Sequence, residues 1–296
     1  MAAAQLSVGA VIITMGDRPA ELGRLLQSVA AQEGDPVQVV VVGNGTELPG
    51  LPSWVRTVEL PENLGIPGGR NVGIEAFGPG GGEVDVLLFL DDDGHLPDRE
   101  TVQRVRQAFE ADPRLGIISF RITDPETGTT ARRHVPRLRA SDPARSSRVT
   151  TFLGGANAVR SQVFQQVGPL PDRFFYAHEE TDLAWRALDA GWSIDYRGDL
   201  VLHHPTTSPA ARHALYHRML ARNRVWLSRR NLPLPLIPVY LLVWLAITLA
   251  RRPSGPALRA WLGGFAEGWR TPCGPRHPMS WRTVWRLTRL GRPPVV

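Results

Sequence analysis

Apolar, β-branched segments alternate with segments of helical periodicity through the first two-thirds of the chain. Ser7 to Thr14 has the composition of a buried strand, and Pro19 to Gln32 carries leucines at helical spacing behind a proline in its first turn. Further strands are predicted at residues 37–42, 55–60, 86–90 and 116–120, and further helices at 68–77 and 99–111. This alternation predicts an α/β domain whose mostly parallel sheet is flanked by helices.

Polar residues stand where three of the predicted strands end. They are Thr14, the pair Gly43-Asn44 and the triplet Asp91-Asp92-Asp93. Open α/β sheets bind ligands at the carboxyl ends of their strands, so these clusters should meet at one edge of the sheet. The pattern therefore predicts one ligand site at that edge rather than three unrelated loops.

The rest of the chain is less regular. Residues 121–150 are rich in Arg, Pro, Ser and Asp, which predicts a long loop. Helices are expected at 161–167, 179–190 and 210–229, and two short strands before His203-His204. We therefore expect a first domain over residues 1–206 and a basic helical extension, rich in Trp and Arg, over residues 207–296.

The basic residues are all arginine, since the sequence contains no lysine. A Walker A phosphate loop, a Schiff base and a lysine general base are therefore excluded. The single cysteine, Cys273, excludes an intrachain disulfide and a cysteine-rich zinc site, and it fits a reducing, cytoplasmic compartment. Met1 to Gln5 lacks a basic segment, and we expect no signal peptide.

The triplet Asp91-Asp92-Asp93 directly follows the apolar run Val86 to Leu90. Three adjacent carboxylates repel one another, which is costly unless a cation neutralises them. Their hard oxygen atoms suit Mg2+ or Mn2+, and either ion can bridge to a diphosphate. An acidic loop beside a helix start is the alternative, and the position at a strand end favours the metal.

Three other segments carry candidate chemistry. Glu179-Glu180-Thr181-Asp182 places three acids at a helix start, where they either favour the helix dipole or supply a general base. His203-His204 ends a predicted strand and is either a structural hydrogen-bonding pair or a pair of imidazole ligands for the same metal. The glycine-rich turn from Asn63 to Asn71 has the composition of a phosphate-binding helix start.

Taken in order, these segments resemble family 2 of the inverting glycosyltransferases, which have the Rossmann-like GT-A fold. The resemblance covers residues 7–204, about two-thirds of the chain. It is carried by Val11 to Thr14 with Arg18, Asn63 to Gly65, Gly69 to Gly73, Leu90 to Asp93, Gly154 to Asn157, Phe174 to Tyr176, Glu179 to Leu183, and His203-His204. It implies a nucleotide-sugar donor, with rhamnose-type sugars plausible, and inverting transfer to an acceptor hydroxyl in cell-envelope or other glycan synthesis.

The resemblance also implies roles for individual residues. Glu180 would be the base that deprotonates the acceptor, with Glu179 and Asp182 as its neighbouring acids. Mg2+ or Mn2+ would be held by Asp93, Asp91, His204 and His203. The donor would be contacted by Thr14, Arg18, Asn44, Asn63, Gly65, Arg70, Asn71, Asp91 and Asp92. The acceptor would be contacted by Gly155, Asn157 and Trp185.

Two positions depart from the family pattern. The family usually has an aspartate where Gly43 stands, contacting the base of the nucleotide, so the identity of the nucleotide stays open. The catalytic base is more often aspartate than glutamate. Because Glu180 is one methylene longer, either the acceptor sits slightly further back or Glu179 or Asp182 is the base.

Two other functions compete with glycosyl transfer. Asp91-Asp92-Asp93-Gly94 also matches the motif of haloacid-dehalogenase-like phosphatases, in which Asp91 would accept the phosphoryl group. That family most often holds the aspartyl phosphate with a lysine, which this chain lacks, and its motif usually opens the domain. The second alternative is a non-enzymatic, basic-tailed binding protein, which salt-sensitive binding to DNA would support.

Charge divides the chain unequally. Residues 1–204 hold 19 arginines against 27 acidic residues, whereas residues 205–296 hold 15 arginines against Glu267 alone. The apolar run 238–250 would form a helix of about 20 Å, shorter than a hydrocarbon core of about 30 Å. Tryptophan and arginine then interleave at helical spacing, which suits a membrane interface rather than a nucleic acid. We expect a peripheral enzyme at the inner face of the cell membrane, beside a glycan or lipid-linked acceptor; packing on the first domain or a homo-oligomer contact is the alternative.

Overall fold

A mixed sheet forms the centre of the computed structural model, which describes residues 5–48, 50–138, 142–205 and 214–296. In this part of the chain the sheet has eight strands in the order β3-β2-β1-β4-β7-β5-β8-β6. They are β1 Val8–Thr14, β2 Gln38–Asn44, β3 Val55–Leu60, β4 Val86–Asp91, β5 Leu115–Thr123, β6 Ser147–Arg148, β7 Ala156–Arg160 and β8 Ser193–His203.

Strands β1 to β4 are parallel, and β8 is parallel to β5, which confirms the predicted parallel core. Strand β7 was not predicted and runs antiparallel between β4 and β5. Its five residues, Ala156–Arg160, show too little alternation of polar and apolar side chains to predict a strand. The two short strands expected before His203 are one strand, β8, whose pairing with β5 shifts in register between Phe120 and Arg121.

Helices cover both faces of the sheet. They are α1 Pro19–Ala30, α2 Gly65–Glu75, α3 Thr101–Ala111, α4 Ser161–Val167, α5 Glu179–Asp189, α6 Ala214–Asn231, α7 Leu236–Ala250, α8 Gly255–Arg270 and α9 Trp281–Arg289. Leucines of α1 and Phe109 of α3 join one apolar core, and side chains of α2, α4 and α5 join another. Alternate residues of the buried strands therefore pack into two separate cores, one on each face, as expected for a sheet that is buried on both faces.

The C-terminal helices belong to the second of these cores. Val225 of α6, Tyr240 of α7 and Leu287 of α9 pack in the same cluster as Leu183 and Trp185 of α5. The predicted boundary at residue 206 lies outside the described residues, as do 1–4 and 139–141, so the division into two domains stays a prediction. Within the described ranges, no helix is both long enough and apolar enough to cross a membrane.

Candidate active site

The aspartate triplet lies where β4 ends, beside the end of β1. Because these strands are parallel neighbours, Thr14 and Arg18 come within reach of the triplet. The hydroxyl of Thr14 donates to Oδ2 of Asp92 over 2.6 Å, and Nη1 of Arg18 lies 2.6 Å from Oδ2 of Asp93. Burial raises the pKa of Asp92 despite this hydroxyl and guanidinium. Thr14, Arg18, Asp92 and Asp93 therefore form one hydrogen-bonded group at this edge.

His204 approaches the same carboxylates from the end of β8. Its Nε2 atom lies 2.9 Å from Oδ1 of Asp93 and 3.8 Å from Oδ2 of Asp91. Burial by itself lowers the pKa of His204, but the two carboxylates outweigh burial and raise it. Burial likewise favours protonation of Asp93, and His204 and Arg18 reverse the balance so that the pKa of Asp93 is lowered.

Asp91, Asp93 and His204 offer the oxygen and nitrogen atoms that bind a hard divalent cation. Among the described residues, no three Asp, Glu, His or Cys side chains are already arranged as a complete metal site. Nδ1 of His204 lies 2.8 Å from the carbonyl oxygen of Pro205, so its proton can be donated there and Nε2 left free to bind. Oδ1 of Asp93 is buried and faces Nε2 of His204, so the two atoms can serve as neighbouring ligands of one ion. Ligand atoms at right angles around an ion with bonds of about 2.1 Å lie roughly 3 Å apart, close to the observed separation.

His203 points away from the triplet, which differs from the expectation that both histidines bind the metal. Its Nδ1 atom lies 3.2 Å from Nε2 of His95, and the two rings meet edge to face. Their backbones also form an isolated β-bridge. Consecutive residues of a strand face opposite sides, so only one of the two histidines can reach the carboxylates.

Arg70 joins the triplet to α5. The residue is only 5% exposed; its Nη2 lies 3.2 Å from Oδ1 of Asp91, and its Nη1 lies 3.8 Å from Oε1 of Glu179. Sequence reasoning assigned Arg70 to the donor phosphate, whereas the structure uses its two nitrogens to hold two acids. Gly155 makes this approach possible, because a Cβ atom there would lie 1.8 Å from Oδ2 of Asp91.

Glu179 and Glu180 lie at the start of α5, against the Gly154-Gly155 turn. Oε1 of Glu180 occupies the space above Gly154, where a Cβ atom would lie 2.2 Å away. Burial raises the pKa of Glu179 well above its usual range, and neighbouring Glu180 adds to that rise while Arg70 opposes it. Burial also raises the pKa of Glu180. Burial therefore favours the neutral form of both carboxyl groups, and most strongly that of Glu179.

Asp182 does not face the site, contrary to its expected role near the acceptor. It is fully buried, and its pKa is lowered because two arginines and an amide outweigh burial. Its partners are Nε of Arg186 at 2.8 Å, Nε of Arg230 at 2.8 Å and Nδ2 of Asn231 at 2.7 Å. With both oxygens occupied, Asp182 attaches α5 to α6 and cannot take a proton from an acceptor.

Asn44 and Asn63 shape the turn that precedes α2. Nδ2 of Asn44 donates to Oδ1 of Asn63 over 3.0 Å and to the carbonyl oxygen of Gly65 over 3.1 Å. Gly65 has a φ of +73°, and a Cβ atom there would lie 2.3 Å from the carbonyl oxygen of Phe175. The turn therefore packs directly on the segment 174–176, one of those that carry the resemblance.

Three further residues that were predicted to contact the donor or the acceptor make contacts within the protein. Asn71 exchanges two hydrogen bonds of 2.9 Å with the backbone of Leu170, so its amide is directed at that backbone. Asn157 donates to the carbonyl oxygen of Leu153 over 2.7 Å. Trp185 is only 5% exposed and packs edge to face on Tyr240.

Steric crowding explains why position 43 is a glycine. A Cβ atom at Gly43 would lie 2.3 Å from the carbonyl oxygen of Thr46 and 2.9 Å from the side chain of Leu48. An aspartate cannot stand there unless the turn after β2 moves. The absence at this point of the carboxylate that the resemblance would place there therefore has a steric reason.

Sequence reasoning missed the residues that support α5. Arg230 and Asn231 lie in an arginine-rich helix that had the pattern of a basic surface, yet both are buried against Asp182. Nothing in the local sequence distinguishes Arg230 from the other arginines of α6, because its partner lies 48 residues away.

Comparison with known proteins places this site within a family. The model of glycosyl transferase family 2 matches residues 10–168, more than half of the chain. The chain belongs to glycosyl transferase family 2. Its membership confirms the predicted family and removes the basis for the phosphatase alternative, in which Asp91 would be a nucleophile.

Among curated proteins, this family 2 chain is 24% identical over 258 residues to the pre-mycofactocin glycosyltransferases of two Mycobacterium tuberculosis strains. The matched region covers 81% of this chain and 52% of each relative, so the chain spans about half the length of those proteins.

Solved structures share its fold at low sequence identity. GalNAc-T7 with UDP, GalNAc and Mn2+ has a TM-score of 0.64 at 13% identity, covering 91% of this chain and 52% of that one. TarS 1-349 of S. aureus with UDP-GlcNAc has a TM-score of 0.60 at 12% identity, covering 89% and 80%. The mannosyltransferase PcManGT of Pyrobaculum calidifontis, with GDP-Man and Mn2+, has a TM-score of 0.56 at 17% identity, covering 97% and 85%. The family 2 chain thus has the predicted GT-A fold.

Proposed function

We propose that this protein transfers a sugar from a nucleotide-sugar donor to an acceptor hydroxyl, with inversion at the anomeric carbon. The proposal rests on two contacts at one edge of the sheet. Asp93 contacts His204 there, and Arg70 links Asp91 to Glu179 of α5. Arg70 thereby connects the residues proposed to bind the leaving diphosphate with the residues proposed to act as the base. The bound nucleotides of the structural neighbours support this choice of donor.

Asp93 and His204, with Asp91 beside them, are the residues that would hold Mg2+ or Mn2+. When bound, the ion would neutralise charge that builds on the leaving diphosphate. Arg18 adds a positive charge at the same edge through its contact with Asp93. Arg70 fixes the position of Asp91. The Mn2+ in two neighbouring structures supports the need for a divalent ion.

Glu180 is the group best placed to deprotonate the attacking hydroxyl. Glu179 is deeply buried and favours its neutral form, and Asp182 is occupied by ion pairs. Of the three acids at the start of α5, Glu180 is therefore the one left to accept a proton, as a single displacement requires. Since one displacement at the anomeric carbon reverses its configuration, this arrangement supports inversion.

The C-terminal helices suit attachment to the inner face of the cell membrane, close to a glycan or lipid-linked acceptor. Leu242 and Leu249 of α7 are 65% and 51% exposed, and Trp281 and Trp285 of α9 are 51% and 62% exposed. Exposed arginines follow α7 and interleave with the tryptophans of α9. Apolar side chains bordered by arginine favour the interface of an anionic bilayer. This location fits a role in cell-envelope glycan synthesis.

A screen of nucleotide-sugars tests the function. Each donor is added with Mn2+, Mg2+ or a chelator, and the melting temperature is followed, because a bound donor stabilises the folded state by mass action. We expect one nucleotide family to stabilise the protein only with a divalent ion. The anomeric configuration of the sugar in the product is then read by NMR. Stabilisation by no donor, or retention of configuration, would contradict the proposal.

A further inference from the structure

A cavity of about 60 Å³ lies between α5, α6, α7 and the segment that follows α9. We call it the basic cavity. The groups on its wall that matter here belong to Thr151, His178, Arg224, Trp244 and Arg292. Because one water molecule needs only about 10–15 Å³, the basic cavity has room for a small polyatomic group. It shares no lining residue with the aspartate triplet or the Asn63–Gly65 turn.

Two arginines line the basic cavity, and no aspartate or glutamate side chain of the described residues pairs with either of them. Arg224 is only 8% exposed, and its guanidinium carbon lies 3.3 Å from the centre of the Trp244 ring. Nε of Arg292 donates to the backbone oxygen of Val296 over 3.4 Å. The polar group that acts on both arginines is the hydroxyl of Tyr240, which is not a carboxylate. Arg292 is partly exposed, whereas Arg224 is buried, and a buried cation is costly unless an anion accompanies it.

Unused hydrogen-bonding groups line the same space. Nε2 of His178 and Nε1 of Trp244 are buried and have no hydrogen-bond partner. Burial and the two arginines lower the pKa of His178 well below its usual range, so the imidazole is neutral and adds no charge of its own. The hydroxyl oxygens of Thr151 and Thr181 lie 3.5 Å apart on the wall. A buried polar atom without a partner costs free energy that a ligand can recover.

We propose that the basic cavity binds a phosphate group carried by the acceptor. The inference rests on the proposed glycosyl transfer, since it names the class of acceptor. A phosphate offers several acceptor oxygens to the guanidinium donors and hydroxyl groups described above. Thr181 lies on α5 and His178 is the N-cap of that helix, so a phosphate at this wall would hold the acceptor against the helix that carries Glu180. The donor diphosphate is served separately, at the Asp93 edge.

Phosphate in a lipid headgroup and phosphate on a soluble glycan share this chemistry. Tyr240 and Trp244, which line the basic cavity, lie on α7, whose opposite face exposes Leu242. A lipid phosphate could therefore enter while its chains stay near the apolar surface. The soluble and lipid sources are separated by the experiment below.

Titration with inorganic phosphate tests the inference directly. Tryptophan fluorescence reports binding, because Trp185 and Trp244 line the basic cavity, and a chelator at constant ionic strength prevents metal-bridged binding at the Asp93 edge. We expect saturable binding that weakens about tenfold or more in Arg224→Gln and in Arg292→Gln, since each removes a charge-assisted contact. Arg259→Gln, at an exposed position of α8, should bind like the native protein.

Two comparisons make the result decisive. Asp93→Ala should keep phosphate binding, which separates this site from the donor site. If Arg224→Gln fails to fold by circular dichroism, Arg292→Gln and Thr181→Val decide. Absence of saturable binding in the native protein, or unchanged binding in the folded cavity variants, overturns the inference. Failure of donor binding alone overturns the proposed function instead.

The source is then identified by competition against inorganic phosphate. Phosphatidylcholine vesicles with and without phosphatidic acid probe a lipid phosphate, and glycerol 3-phosphate probes a soluble one. Competition by either, lost in Arg292→Gln, supports the basic cavity and names the source. Competition by neither, although inorganic phosphate binds, means an adventitious ion only and overturns the assignment to an acceptor.

Discussion

Nε of Arg230 donates to Oδ1 of Asp182 over 2.8 Å, which fastens α6 of the C-terminal extension to the helix that carries Glu180. Replacing Asp182 with asparagine would leave Arg186 and Arg230 buried without their anion. Breaking a buried pair of this kind typically costs roughly 3–5 kcal/mol. We expect Asp182→Asn to lower the free energy of unfolding by an amount of that order, measured by denaturant titration.

The matched control for Asp182→Asn is an exposed ion pair. Arg218, whose side chain is 56% exposed, lies 2.7 Å from Glu267. Exposed pairs contribute about 1 kcal/mol or less, so Arg218→Gln should change stability far less. Equal effects of the two substitutions would mean that Asp182 does not hold the helices together.

How far the sequence predicted this site can be judged from individual residues. Thr14 and the triplet were predicted as neighbours, because parallel strands bring their carboxyl ends to one edge, and the structure joins them through Asp92. Asn44, predicted at the same edge, bonds instead to Asn63 and Gly65. Asp182 was assigned to catalysis and Asn71 to the donor, although they bond to Arg230 and Leu170, far away along the chain. Single-sequence patterns report local spacing, so a polar residue that serves distant packing looks the same as one that serves a ligand.

Gly155→Ala tests the close approach of the Gly154-Gly155 turn to the triplet. A Cβ atom at Gly155 would displace the carboxylate of Asp91, and with it the contact to Arg70. Donor affinity should fall about tenfold or more, because a charge-assisted group is misplaced. Isothermal titration calorimetry with the stabilising nucleotide-sugar measures the loss.

Gly23→Ala provides a glycine control in α1, where a Cβ atom would meet nothing within 4 Å. Donor affinity should be unchanged there, and the helix should gain about 0.5–1 kcal/mol. A loss of affinity in the Gly23 variant as well would show that glycine substitutions act through general destabilisation.

Glu180→Gln tests the base. The amide keeps the size of the side chain but cannot take a proton, so transfer should fall by about 10²–10⁴-fold. Donor affinity should stay the same, because Glu180 touches the acceptor side. Product formation is followed by release of the nucleoside diphosphate, with calorimetry of the donor alongside. If donor affinity falls as much as transfer, Glu180 is a binding residue rather than the base.

The pH dependence of transfer follows from the burial of Glu180. Burial raises the pKa of Glu180, and only its ionised form accepts a proton. Activity should therefore rise with pH through a midpoint above the usual glutamate range and be lost as pH falls below it. The measurement is kcat/KM against pH, with circular dichroism to confirm folding at each pH. Full activity throughout the pH range in which an ordinary glutamate is half protonated would contradict this assignment.

Metal-dependent donor binding tests the central claim most directly. Calorimetry should show binding of the nucleotide-sugar by the native protein with Mn2+ or Mg2+, and none with a chelator. Asp93→Ala should weaken binding about tenfold or more in the presence of the ion. Glu33→Ala, at an exposed position, should bind like the native protein. Equal donor affinity with and without the ion, or native affinity in Asp93→Ala, would contradict the account.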